Sequence, residues 1–224
     1  MKRITVLLAE DHQVVREGFR SLLEHERDIE VIGEAQTGRE AVQLTRKLRP
    51  AVVVMDIAMP LLNGLEATRQ IRKEFPNTKV LILSAHSDDA YVDQVSVLGA
   101  SGFLLKQASS HILATAIREV QKGKSFFSSS VSKRVKNRSR QLAARGGSKK
   151  SGNRLSSREV EVLQLIAEGK PNKQVAAELG VSFKTVDKHR QHLMGKLNIH
   201  DIAGLTRYAI AQGIIEGRVR VTIR

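Results

Sequence analysis

Between residues 4 and 122, short β-rich runs alternate with segments of helical period. Five runs are predicted strands: Ile4–Ala9, Ile29–Ala35, Ala51–Met55, Lys79–Ser84 and Ser101–Leu105. Helical patterns fall between and after them, near His12–Glu24, Gly38–Leu48, Gly64–Phe75, Asp88–Leu98 and Ser109–Gly123. In the first of these, Val15, Phe19, Leu22 and Leu23 share one stripe. Such alternation predicts an α/β unit, a parallel sheet wound through right-handed crossovers with helices on both faces. The unbroken apolar runs at Val52–Met55 and Val80–Leu83 suit strands buried on both sides.

The pattern changes after residue 123. Residues 124–154 hold ten Lys/Arg, eight Ser and three Gly, with no Asp or Glu. Ser129–Leu142 could form a short basic helix. Gly146–Asn153 reads as flexible linker, spanning roughly 15 Å if it behaves as a random coil. From Leu155 the period is helical again. Ser156 and Glu159 form a capping box that opens Ser157–Glu168, which Gly169 ends. Asn172 is a candidate cap for Lys173–Leu179, Gly180 is the turn, Ser182 caps Phe183–Leu197, and a fourth helix covers Ile202–Gln212. This divides the chain into residues 1–123, a basic linker 124–152 and a helical domain 153–216. The tail Arg218–Arg224 alternates Arg with β-branched residues and has no evident role.

Composition sharpens this division. The chain has 224 residues and a net charge of +14. Residues 1–123 balance 16 Lys/Arg against 16 Asp/Glu, whereas residues 124–224 carry 21 against 7. The helical part is therefore the one suited to a polyanion. The sequence has no Cys, which rules out disulfides and thiolate-ligated metals. The apolar run before Glu10 is too short for a signal-peptide core or a membrane span, so a cytoplasmic protein without membrane contact is expected.

Chemistry gathers at the strand ends. Glu10, Asp11, Asp56, Ser84 and Lys106 all fall just past the carboxyl edge of one predicted sheet, where open α/β folds bind ligands. Three carboxylates in one cleft repel, so a compensating cation is expected, and Mg²⁺ suits such oxygen ligands. Lys106 offers a point charge to a phosphate oxygen and Ser84 a hydroxyl donor. A carboxylate nucleophile beside a metal and a Lys suits aspartyl-phosphate formation. A hydrolase with an Asp nucleophile is the rival reading, but the second acid it usually carries two residues on is here Ala58. His12 and His86, at the rim, read as solvated.

In the helical domain, Lys173–Leu179, the Gly180–Ser182 turn and Phe183–Leu197 form a helix-turn-helix with Val175, Leu179, Val181 and Val186 as its small core. Lys184, Asp187, Lys188 and Gln191 share one face of the second helix, while Val186, Leu193 and Leu197 share another. Lys188 suits guanine and Gln191 adenine. Asp187 can accept from cytosine or point to solvent. Lys184, Thr185 and Arg190 suit phosphates.

These residues carry a resemblance. Residues 4–122 resemble a response-regulator receiver domain. The matches are the acidic pair Glu10-Asp11, Asp56 with Met59-Pro60, Gly64, Ser84-Ala85 and Gly102-Phe103 with Lys106. Residues 155–212 resemble the LuxR-type DNA-binding domain, through the motifs at 155–163, 172–179 and 181–189 and Lys196-Leu197. The whole chain resembles a LuxR/NarL-type response regulator. That resemblance implies a doubly wound five-stranded sheet of order 2-1-3-4-5 and an all-α four-helix domain. It implies that Asp56 accepts a phosphoryl group from a sensor histidine kinase, with no separate catalytic domain. Mg²⁺ would be held by Glu10, Asp11, Asp56 and the Ala58 carbonyl. Ser84 and Phe103 would be switch residues, Ser84 moving to the phosphate and Phe103 following inward. The output would be dimerisation through the last helix, release of the DNA domain from the receiver, or both, leading to binding of double-stranded promoter DNA, with RNA polymerase as a further candidate partner. The same resemblance makes His189 scaffold or backbone contact rather than a zinc ligand. Two departures stand out. Gln107 replaces the Pro that often follows the Lys, and Phe103 lacks the hydroxyl of the more usual Tyr. The runner-up is a receiver acting through protein partners, its DNA domain vestigial.

Overall fold

A computed structural model describes residues 3–85, 95, 98–127 and 155–216. The chain divides into two compact units between Lys149 and Lys150. The helix expected near Asp88–Leu98 lies mostly outside the described residues. So do His86, the linker segments Ser129–Leu142 and Gly146–Asn153, and the tail Arg218–Arg224.

The first unit holds β1 (Ile4–Ala9), α1 (Gln13–Glu24), β2 (Ile29–Ala35), α2 (Gly38–Leu48), β3 (Val52–Asp56), α3 (Gly64–Glu74), β4 (Lys79–Ser84), β5 (Gly102–Leu105) and α4 (Ser110–Gln121). All five strands are parallel, in the order β2-β1-β3-β4-β5. Alternate strand residues supply two cores. Leu7, Val53, Met55, Val80, Ile82 and Phe103 face α2 and α3. Val6, Leu8, Val52, Val54, Leu81, Leu83 and Leu104 face α1 and α4. The two-residue period of a strand puts successive side chains on opposite faces, which is why these runs are apolar throughout. Beyond α4 the chain returns to the sheet. Phe103 N–H donates to Phe126 O at 2.8 Å and Phe126 N–H to Ser101 O at 3.0 Å, so Phe126 covers the β5 edge.

Local signals set most helix starts. Thr37 accepts from Glu40 N–H and Asn63 from Glu66 N–H. In α1 the buried seam differs from the expected stripe. Arg16 and Leu23 are buried, Val15 and Phe19 half-buried, and Leu22 is exposed. The reason is polar: Arg16 Nη1 donates to Glu10 O at 2.8 Å and Nε to Glu34 Oε2 at 3.0 Å. A guanidinium with those partners tolerates burial.

The second unit is all-helical: α5 (Ser157–Ala167), α6 (Asn172–Leu179), α7 (Phe183–Leu197) and α8 (Ile202–Ala211). Val162, Leu163, Leu165 and Ile166 of α5 fill its centre, with Val175, Leu179, Val186, Leu193 and Leu205 around them. The capping box at Ser156 and Glu159 forms, and Ser182 accepts from Thr185 N–H. Asn172 does not cap α6. Pro171 occupies that position, and Asn172 Oδ1 instead accepts from Arg190 Nη1 of α7 at 3.2 Å. Gly180 ends α6 with φ 61°, a left-handed turn that favours Gly. Glu159 is buried under α7. Burial pushes its carboxyl up, but hydrogen bonds from Lys196 and Ser156 outweigh that and leave it below the usual range.

Candidate functional site: an acidic pocket and a reading helix

The parallel register brings the chemistry together. Ala9 pairs with Met55, Asp56 with Leu83 and Ser84 with Leu105. Glu10 and Lys106 therefore follow the ends of β1 and β5, while Asp56 and Ser84 are the last residues of their strands. Lys106 N–H donates to Ser84 O at 2.8 Å, continuing the ladder one step. The peptide into Gln107 is trans.

Lys106 Nζ sits 2.7 Å from Glu10 Oε2 and 3.0 Å from Asp56 Oδ1. Burial would lower this ammonium, but the charges of Asp56 and Glu10 outweigh it and hold the Lys above its ordinary value. Asp56 is 2% exposed. Burial first, and the Glu10 charge second, push its carboxyl up to about 6 despite Lys106. Its Oδ2 is buried with no hydrogen-bond partner. Among the described residues, Lys106 is the cation paired with both buried carboxylates, with Asp11 alongside. Hard oxygens, like charges and an orphaned acceptor fit a divalent cation. His12 is exposed at the rim, as expected, with its Nδ1 2.8 Å from Asp11 Oδ1 and 3.1 Å from Glu10 Oε1.

The supports of Asp56 are less visible in sequence. A Cβ on Gly64 would lie 1.8 Å from Asp56 O, and Gly64 N–H donates to Ile57 O at 2.8 Å. On the other side, a Cβ on Gly38 would lie 2.1 Å from Leu62 O, which accepts from Gly38 N–H. Two helix starts thus clamp the loop that carries Ala58. Arg16 holds the opposite wall through the Glu10 carbonyl. The signal for Arg16 was its spacing, seven residues before the buried Leu23 on one helix face. Ser84 and Phe103 are both buried. The Phe103 ring belongs to the core cluster that includes Val53 and Ile82.

On α7, Lys184, Lys188 and Gln191 are exposed, as expected of a reading face. Asp187 Oδ2 accepts from Gln191 Nε2 at 3.0 Å, which ties the two side chains together on this face. Thr185 shares a hydroxyl contact of 2.9 Å with Ser182 at the cap, and Arg190 is tied to Asn172.

The model of the response regulator receiver domain matches residues 6–118, and that of the bacterial regulatory proteins of the luxR family matches residues 153–209. The chain is a LuxR-type response regulator. It is 40% identical to the transcriptional regulatory protein LiaR of Bacillus subtilis, over 92% of this chain and 96% of that protein. It is 36% identical to DegU of Brevibacillus brevis, over 98% and 96%. Among solved structures it resembles RcsB of Salmonella typhimurium at 28% identity and a TM-score of 0.61, covering 95% of this chain and 99% of that one. RcsB bound to the promoter rprA with the phosphomimetic BeF3⁻ matches at 27% and 0.57, covering 92% and 98%. As a response regulator of this type, the chain is a two-component transcriptional regulator with a receiver and a helix-turn-helix DNA-binding domain. Among the described residues, no helix is long and apolar enough to cross a membrane.

Proposed function

We propose that Asp56 is the phosphoacceptor of this response regulator, and that its phosphorylation controls dimerisation and promoter binding in the cytoplasm. The buried, unpartnered Asp56 Oδ2 beside Lys106 is the observation that carries this reading. In the step, Asp56 Oδ2 bonds to the phosphorus of a phosphohistidine on a sensor kinase. The P–N bond breaks, and the imidazole nitrogen keeps the electron pair and takes a proton from solvent. With a carboxyl near 6, the ionised nucleophile dominates at pH 7. Lys106 re-pairs with a phosphoryl oxygen, and the Ser84 hydroxyl donates to another. Glu10, Asp11, Asp56 and the Ala58 carbonyl would hold Mg²⁺, which when bound neutralises the charge spread over the transferring group.

The receiver is assigned to residues 1–123, the basic linker to 124–152 and the DNA-binding domain to 153–216. Phe126 of the linker closes the β5 edge. In the DNA-binding domain α7 enters the major groove. Lys184, Thr185 and Arg190 take phosphates, and Lys188, Gln191 and Asp187 define the base-reading face. Ile202 and Ile210, exposed on α8, supply the dimer contact, so a two-fold dimer reads half-sites about one helical turn apart. RNA polymerase is a further candidate partner at the promoter.

The experiment compares the wild-type protein with Asp56→Asn in Mg²⁺, with a small radiolabelled phosphodonor and then with beryllofluoride. Only the wild type should take label, shift to a dimer and gain DNA affinity. Labelling that persists in Asp56→Asn would overturn the assignment. DNA affinity indifferent to salt would instead favour action through protein partners.

A further inference from the structure

The chain has six phenylalanines. Phe75 and Phe103 are buried, Phe19, Phe126 and Phe127 half-buried, and Phe183 is 58% exposed. A single exposed apolar side chain is ordinary on a protein surface. Position makes Phe183 different. It is the first residue of α7, the helix that carries the reading face, and its neighbours Ser182 and Lys184 are polar and exposed. Ser182 caps this turn by accepting from Thr185 N–H at 3.1 Å, so the backbone under Phe183 is held. Helical side chains lean toward the N-terminus, so the ring overhangs the end of α7 that meets a major groove first.

Phe183, Asp187 and Gln191 follow one another at i, i+4 and i+8 and form one stripe. Within it, the bond from Gln191 Nε2 to Asp187 Oδ2 orients the Gln191 amide. Its Oε1 and second N–H remain for the edge of adenine. Next along the stripe comes an apolar ring. The major groove offers one apolar group among its base edges, the C5-methyl of thymine.

We propose that Phe183 is a specificity-determining residue that packs on a thymine C5-methyl, on the face it shares with Gln191 and two helical turns before it, with Asp187 as the positioning residue of that glutamine. This rests on the reading that α7 enters the major groove. Asp187 then acts through Gln191 and not by accepting from cytosine.

The test uses the full chain with Mg²⁺ and beryllofluoride to select sites from a randomised DNA duplex. Each thymine of the selected site is then replaced by deoxyuridine, which lacks only the methyl. Removing one buried methyl should weaken binding about fourfold, or ~0.8 kcal/mol at 1.4 kcal/mol per tenfold. The expected result is one such position per half-site for the wild type. Phe183→Ala should show no penalty there, and Phe183→Leu should keep part of it. Asp187→Ala should relax the adenine preference at the pair read by Gln191 and leave the deoxyuridine penalty intact. A penalty of equal size in wild type and Phe183→Ala, or none in the wild type, would overturn the inference. Failure of the wild type to select any sequence would instead overturn the reading-helix assignment beneath it.

Discussion

Asp56 is a carboxylate held where ionisation is unfavourable. Burial raises it, Glu10 raises it further, and Lys106 only partly compensates, leaving it near 6 against an ordinary 3.8. At 1.36 kcal/mol per unit, that gap of about two units is about 3 kcal/mol. The native chain keeps a proton that the unfolded chain releases above its own, lower value. Stability from this group is therefore fully present below about pH 4, falls as pH rises toward 6, and then levels off. Asp56→Asn keeps the shape and removes the charge. Without Mg²⁺, the variant should match the wild type at pH 4 and exceed it by up to about 3 kcal/mol at pH 7.5. With urea slopes of about 1–3 kcal/mol/M, the receiver transition should move by roughly 1–3 M, which equilibrium unfolding in EDTA resolves. Mg²⁺ should then stabilise the wild type by about 2.7 kcal/mol at a hundred times its Kd, and Asp56→Asn by less. A variant less stable than wild type at pH 7.5, or a gap that does not change between pH 4 and 7.5, would refute this account of the pocket.

Two further substitutions probe the scaffolds. Gly64→Ala places a methyl against the Asp56 carbonyl, so about 1–3 kcal/mol of receiver stability should be lost together with slower phosphodonor labelling; wild-type values in both would show that the loop yields freely. Lys196→Met leaves the buried Glu159 with only its Ser156 partners, which should lower DNA-domain stability at pH 7 by about 1–2 kcal/mol. Because Glu159 is held below the usual carboxylate range, that loss should shrink as pH falls through its folded value. A loss independent of pH in thermal melts would mean that Lys196 acts through packing alone.

Among the described residues, the strand and helix order of both domains was legible in sequence, because composition, period and caps are local properties. The unbroken apolar β-runs, the helical period between them, the Ser156–Glu159 box, the Ser182 cap and the Gly180 turn need only near neighbours. The acidic set was legible too, since parallel strands must end on one edge, and Glu10, Asp56, Ser84 and Lys106 stood at those ends. Tertiary structure decided what those residues experience. Arg16 is buried because β2 supplies Glu34 and the β1–α1 loop supplies a carbonyl, neither of which the period of α1 reveals. Asn172 is the first residue of α6, after Pro171, and its side chain accepts from Arg190 across the turn. Gly38 and Gly64 matter through backbone oxygens far along the chain. Asp187 found Gln191, one helical turn away on its own helix, only once side-chain orientations were set. The raised carboxyl of Asp56 likewise comes from enclosure by several elements, and desolvation exists only once those elements have packed.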